Sequence, residues 1–400
     1  MSGSFLKRVR PSIKPRWPPR KASGKELKII LHLLLLLLSI NSAAAQAPRS
    51  PQPQPIIGEL RVSTIAKNLE HPWSIEFLPD GRMLVSERPG RLRRIERDGR
   101  ASEPLTGVPP VHARGQGGLL DIELSPAFQQ DRLVYLSYAE PGNGGAGTAV
   151  ARGRLGERGL ENLQVIWRQT PKVSGDNHFG SRLVFGRDGT LFITLGDRFA
   201  YREQAQNLSN TLGKIVRIQA DGSIPKDNPF SNGKNGRPEI WSVGHRNVQA
   251  AALSPDTGLL WTVEHGARGG DELNQPQAGK NYGWPVITYG VDYSGAKIGE
   301  GASKTGMEQP VYYWDPVIAP SGAQFYTGAL LPQWQGSLLI GSLTPGLLVR
   351  LEMKGNQVAR EYRYGGDLAS RIRDVRQAPD GAVYAITDER NGRILRLEAK

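Results

Sequence analysis

The chain has no cysteine among its 400 residues. That excludes a disulfide framework, thiolate metal sites and a cysteine nucleophile. Common catalytic fingerprints are missing too: no glycine-rich dinucleotide turn follows a strand, and there is no P-loop, HExxH or GxSxG. Conventional NAD, ATP and serine-hydrolase chemistry therefore has no visible equipment. Helical periodicity is scarce, with one modest stretch around 200–213, in YREQAQNLSNTLGK.

Long apolar runs are also few. One stands near the start, IILHLLLLLLSI at 29–40, and nothing after it could cross a membrane. It follows a basic segment, 1–28, with nine Lys or Arg against Glu26 alone, and precedes the small residues of NSAAAQAPRS. That order predicts a secretory signal peptide over 1–47, cleaved after Ala47, with Ala45 as the alternative and an uncleaved anchor as the competing reading. Periplasmic export follows, with no stable membrane insertion of the mature chain. Residues 48–59, PRSPQPQPIIGE, read as a flexible segment. Of the formal charge of +13, only about +5 lies beyond residue 28. A mildly basic surface, with no basic and aromatic interleaving outside RLRRIERDGR (91–100), predicts no nucleic-acid partner.

What the chain has in plenty is glycine (48) and proline (29), which suits short strands and turns. PWSIEFLPDGRMLVSERPGRLRRI (72–95) alternates through a strand, a Pro-Asp-Gly turn and two more strands. The theme returns at 118–140, 181–197, 249–266, 328–352 and 371–398. Six such units predict an all-β fold over 60–400, a six-bladed β-propeller of four-stranded antiparallel sheets, with a β-sandwich as the alternative. The inserts at 198–245 and 267–320 would form a functional rim on one face.

Five histidines remain after residue 47, and His178 in GDNHFGSR sits in a polar loop. Asp197 ends the next strand, ITLGD, so the hairpin brings both to one sheet edge. A carboxylate on one ring nitrogen would prepare the other as a general base. Arg246 and Asn247 in WSVGHRNVQA, Gln116 in ARGQGG, and Arg371 and Arg373 in ASRIRDV fall at equivalent ends of other units. Together they suit an anionic, planar, oxygen-rich ligand. In EHGARGGDELNQPQAGKNYGWP (264–285), Glu264, Asp271 and Glu272 offer hard oxygen ligands fitting calcium better than zinc. Acids capping a glycine-rich loop are the alternative, and NYGWP reads as an aromatic-proline brace.

HPWSIEFLPDGRMLVSERPGRL, NHFGSRLVFGRDGTLFITLGD, GHRNVQ, EHGARGGDELN, GKNYGWP and RIRDV occur in this order. In these motifs the chain resembles the soluble glucose/sorbosone dehydrogenases, and among them the periplasmic aldose sugar dehydrogenases that use pyrroloquinoline quinone (PQQ). The resemblance implies PQQ on the propeller axis and oxidation of an aldose at its anomeric hydroxyl to a lactone. It implies His178 as catalytic base and PQQ contact, Asp197 as the acid orienting it, and Arg246 as a catalytic cation. Gln116, Arg246, Asn247, Arg371 and Arg373 match cofactor-binding positions. Carbonyls of Gly266 and Ala267 match a calcium site beside PQQ, and Glu272 and Tyr282 a second, structural Ca2+. A periplasmic or artificial electron acceptor is implied, as is a monomer or homodimer. Thr344 stands where the family commonly has a PQQ-contacting lysine, with Arg350 a possible substitute. The competing readings are a non-catalytic propeller and a lactonase-like calcium hydrolase.

Overall fold

A computed structural model describes residues 60–365, 368 and 370–399. The expected signal peptide and the 48–59 segment lie outside the described residues. The first strand, β1 (Leu60–Leu69), does not join the blade that follows it. Blade one is β2 (Pro72–Phe77), β3 (Met83–Glu87) and β4 (Arg91–Ile95). Its fourth position is taken by 101–105, where Ser102 N–H donates to Arg94 O at 2.8 Å and Leu105 N–H to Leu92 O at 2.8 Å. Blade two is β5 (Leu119–Leu124), β6 (Leu133–Gly142), β7 (Gly145–Leu155) and β8 (Leu160–Arg168). Blade three is β9 (Leu183–Phe185), β10 (Thr190–Thr194), β11 (Lys214–Gln219) and β12 (Ile240–Val243).

Blade four is β13 (Val248–Leu253), β14 (Leu260–Glu264), β15 (Asp271–Asn274) and β16 (Tyr312–Trp314). Blade five is β17 (Pro320–Phe325), β18 (Leu338–Ser342), β19 (Leu347–Lys354) and β20 (Gln357–Tyr364). Blade six is β21 (Ile372–Gln377), β22 (Val383–Thr387) and β23 (Gly392–Ala399), and β1 completes it by pairing antiparallel with β23. The chain is thus a six-bladed propeller, closed by its first strand on its last blade. Closure joins the two ends of the chain in one sheet, and the radial repetition leaves only short, protected sheet edges.

The Asp-Gly turns form as the sequence predicts. Gly81 takes φ +83° and Gly381 φ +84°, a region that disfavours any side chain. The preceding acids hold the turns: Asp80 Oδ1 accepts from Arg82 N–H at 3.0 Å, and Asp380 Oδ1 from Ala382 N–H at 3.0 Å.

Three local expectations change. Blade five starts at Pro320 rather than 328, because the inner strand precedes the turn that holds Pro332. The two inserts are not all rim: they contain β11 and β12, and β15 and β16. The helical stretch is only a 3-10 turn, Arg202–Gln206, since Asn207 turns back on Ser209 at 3.0 Å and stops it.

The innermost strands meet on a buried arginine. Arg182, 1% exposed, gives Nη1 to Asp121 at 2.8 Å, Nη2 to Asp374 at 3.2 Å and Nε to Gln249 O at 2.8 Å. Its guanidinium lies 4.1 Å from the Trp73 ring centre. Blades one, two, three, four and six are tied here, so the axis is held by charge-assisted hydrogen bonds as well as apolar packing. No helix among the described residues is long and apolar enough to cross a membrane.

Candidate active site

His178 takes φ +53°, unusual for a side chain this size. Its conformation is held from both sides. The backbone N–H donates to Gln116 Oε1 at 2.8 Å, and Nδ1 pairs with Asp197 Oδ1 at 2.7 Å. The expected convergence of histidine and acid is therefore present, with His178 5% and Asp197 0% exposed. Asp197 Oδ1 also accepts from Phe199 N–H at 2.7 Å, while Oδ2 accepts from Trp284 Nε1 at 2.8 Å.

Burial lowers the pKa of His178 below its ordinary value, and Arg246 adds to this against the opposing bond to Asp197. Burial alone would raise Asp197, but the His178 hydrogen bond and charge, with Arg246, hold it below the usual carboxylate range. The pair is thus neutral imidazole beside carboxylate. With Nδ1–H directed to Asp197, the Nε2 lone pair is the free base.

His178 and Asp197 line a cleft of about 300 Å³ with Phe199, Arg246, Ala267, Trp284 and Tyr293. Arg246 is 4% exposed, and its Nη1 donates to His265 O at 3.2 Å and to Gly266 O. Its Nε is buried without a partner among the described residues.

A neighbouring cavity of about 180 Å³ is lined by Gln116, Arg88, Arg371, Arg373 and Asp388, with Trp73, Gln249 and His265 among its other walls. Arg371 and Arg373 both face Asp388 Oδ2, Arg371 from 3.6 Å and Arg373 much closer. Burial would raise Asp388, yet Arg373 holds it far below the ordinary range. The buried Nε atoms of Arg88 and Arg373 have no partner among the described residues.

The expected rim residues therefore divide between two adjoining spaces, which Gln116 bridges through its bond to His178. Asn247 sits inside instead: it is 1% exposed, and its Oδ1 accepts from Gly180 N–H at 3.1 Å. Arg350 is not a substitute for the missing lysine. It is buried in blade five against Gln333 O at 3.0 Å and the Tyr362 ring at 3.8 Å. The cation leaning on Thr344 is Arg371, 3.5 Å from its hydroxyl.

The acidic segment resolves unevenly. Asp271 is consumed by loop closure, accepting from Gly266 N–H at 2.7 Å and from Ile318 and Ala319 N–H, both at 2.8 Å. Glu264 accepts from His245 Nδ1 at 2.9 Å and from Arg246 N–H at 2.6 Å. Among the described residues no three acids or histidines converge as a metal cluster. Glu272 pairs across the strands with Glu264, and desolvation plus that neighbour's charge push its pKa well up. Thr262 Oγ1 and Asn274 Oδ1, on the same two paired strands, are buried without partners among the described residues. The Tyr282 hydroxyl is engaged with Gln275 O at 2.7 Å, and its ring stacks on His245 at 5.0 Å.

Several residues of these cavities escaped sequence reasoning, among them Arg88, Asp388, Phe199, Trp284 and Tyr293. Only Trp284 carried a signal, as the aromatic of NYGWP, and that signal read as packing.

Fold and site together define a six-bladed propeller carrying a buried histidine–aspartate pair on an arginine-walled cleft. The chain belongs to the Glucose / Sorbosone dehydrogenase family, whose profile matches residues 69–396. It is 45% identical over 373 residues to the aldose sugar dehydrogenase YliI of Escherichia coli K12, covering 92% of this chain and 98% of that one. The crystal structure of the soluble aldose sugar dehydrogenase from Escherichia coli, in its apo-form, superposes with a TM-score of 0.83 at 46% identity, covering 86% of this chain and all (100%) of that one. A PQQ-bound aldose sugar dehydrogenase from Streptomyces coelicolor superposes with a TM-score of 0.69 at 28% identity, covering 86% of this chain and 100% of that one.

Proposed function

We propose that this chain is a PQQ- and calcium-dependent dehydrogenase that oxidises the anomeric hydroxyl of aldose sugars to lactones. The observation that carries the reading is the buried His178–Asp197 pair opening onto a cleft beside unpartnered arginine nitrogens. PQQ is a planar tricarboxylate. Buried Nε–H groups of Arg246, Arg373 and Arg88, without acceptors among the described residues, are donors of the chemistry such a ligand satisfies. Gln116, His178, Arg246, Asn247, Arg371 and Arg373 form the proposed cofactor set, with Asn247 acting through the Gly180 backbone.

When bound, PQQ supplies an electrophilic quinone carbonyl that accepts two electrons as hydride from the sugar C1. His178 Nε2 removes the C1 hydroxyl proton, and Asp197 stabilises the imidazolium that results. Arg246, fixed by two backbone carbonyls, presents a cation on the same wall and favours negative charge developing there. Burial of both dyad members keeps water from competing for that proton.

The calcium assignments are part of the same proposal. Carbonyls of Gly266 and Ala267 would hold one ion beside the cofactor. Glu272 would hold a second, with the unpartnered oxygens of Thr262 and Asn274 nearby and the main-chain carbonyl of Tyr282. Export to the periplasm, with 1–47 removed, and electron delivery to a periplasmic or artificial acceptor complete the reading.

Spectral titration of the purified protein with PQQ and Ca2+, followed by an aldose, tests it. Quinone reduction on sugar addition is expected. Tight PQQ binding without reduction would favour a non-catalytic propeller, and no binding would end the enzyme reading.

A further inference from the structure

Trp284 touches both halves of the site. Its indole Nε1–H donates to Asp197 Oδ2 at 2.8 Å, and the Arg246 guanidinium stands 5.2 Å from its ring centre. Among the described residues no other donor reaches Asp197 Oδ2, whereas Oδ1 receives both His178 and Phe199. The carboxylate is 0% exposed, so solvent does not reach it while the indole is in place.

Trp284 is itself immobilised. Its N–H donates to Gly244 O at 2.9 Å, and its carbonyl accepts from Gln206 Nε2 at 2.8 Å. Gln206 is locked in turn by Asn281, through bonds of 3.1 and 2.7 Å. The ring packs with Ala205, Ala267 and Ile298. A residue from the blade-four insert thus clamps an acid that ends a blade-three strand.

We infer that Trp284 is a positioning residue for proton transfer: by engaging Asp197 Oδ2 it keeps Oδ1 on His178 Nδ1 and so leaves Nε2 as the base. The inference rests on the reading of His178 as that base. A buried carboxylate oxygen without a donor would rotate toward another partner or take up a proton, and either outcome loosens the imidazole. The indole also shares the negative charge of Asp197, which would otherwise be felt more fully by the ring. The charged groups facing His178 are Asp197, Arg246 and Arg198, and His265 is the other titratable ring in electrostatic reach.

Trp284→Phe keeps the ring under Arg246 and removes only the N–H. Histidine titration by NMR in the cofactor-free full chain, with His178→Ala to assign the resonance, should show the His178 midpoint moving to higher pH. If the carboxylate instead turns away or takes up a proton, the midpoint moves to lower pH, because Asp197 is what raises it. In the PQQ- and Ca2+-loaded variant the acid limb of kcat/KM should move the same way as the midpoint, with kcat reduced about tenfold and KM little changed. An unshifted midpoint together with an unshifted acid limb overturns the inference. Should the variant not fold, the wild-type protein still decides. Its Trp284 indole N–H resonance should titrate with the His178 midpoint, and an indole signal indifferent to that midpoint overturns the proposal. If this linkage is present but the loaded wild type oxidises no aldose, the linkage stands and the dehydrogenase reading falls.

Discussion

Gln116 and His178, 62 residues apart in the chain, are joined by a 2.8 Å hydrogen bond from the His178 backbone N–H to the Gln116 side-chain oxygen. The bond crosses from the end of one blade to the next and helps hold His178 at its positive φ. Gln116→Ala should lower kcat/KM about tenfold and stability by about 1 kcal/mol. Steady-state kinetics of the reconstituted enzyme and urea unfolding check the two effects.

His178→Ala should abolish sugar-dependent quinone reduction while leaving PQQ bound. Single-turnover absorbance after loading separates the two, and normal turnover in this variant would refute the role of His178 as base.

The pH dependence follows from the direction of the His178 shift. Burial first, then Arg246, disfavours the imidazolium, so the ring stays neutral down to a pH below its ordinary value of 6.5. A base must be unprotonated, hence kcat/KM should be flat above neutrality and fall only as pH drops through that lowered value. A pH–rate profile with its acid limb above 6.5 would contradict the assignment.

Arg182→Met takes from Asp121, 0% exposed, its 2.8 Å arginine partner, while Asp374, also 0% exposed, keeps Arg376 at 2.9 Å. Removing one partner of a buried ion pair typically costs about 3–5 kcal/mol. Urea unfolding should show that loss as a lower midpoint at an unchanged slope.

Calcium should raise the thermal midpoint of the wild-type protein, by an amount equivalent to about 2.7 kcal/mol at a hundredfold excess over Kd. Glu272→Gln should lose most of this shift. Calorimetry with and without Ca2+, in the absence of PQQ, measures it independently of turnover.

Much of the fold was legible because its signals are local. A tight turn between alternating strands, Pro-Asp-Gly in the first and last units, needs only a dozen residues to declare itself, and six such units declare a propeller. The His178–Asp197 pairing was legible for the same reason, since one hairpin returns both ends to one edge. Blade five was misplaced because β17, PSGAQF, is short and small-residue-rich, with little alternation to mark it. Arg350 looked available as a cation by composition, but Tyr362, Trp334 and Gln333 enclose it. Asp271 looked like a metal ligand, but three backbone N–H groups already claim it.

By itself the sequence determined the repeat, the turns, the histidine–acid hairpin and the family motifs. All of these depend on residues near one another in the chain. Tertiary structure alone decided that β1 closes the last blade, that Arg182 binds the axis together, and that Trp284 holds Asp197 from 87 residues away. The physical reason is shared. Strand pairing, burial of a charge and the completion of a carboxylate's hydrogen bonds depend on which surfaces the closed ring brings together, and spacing along the chain does not encode that.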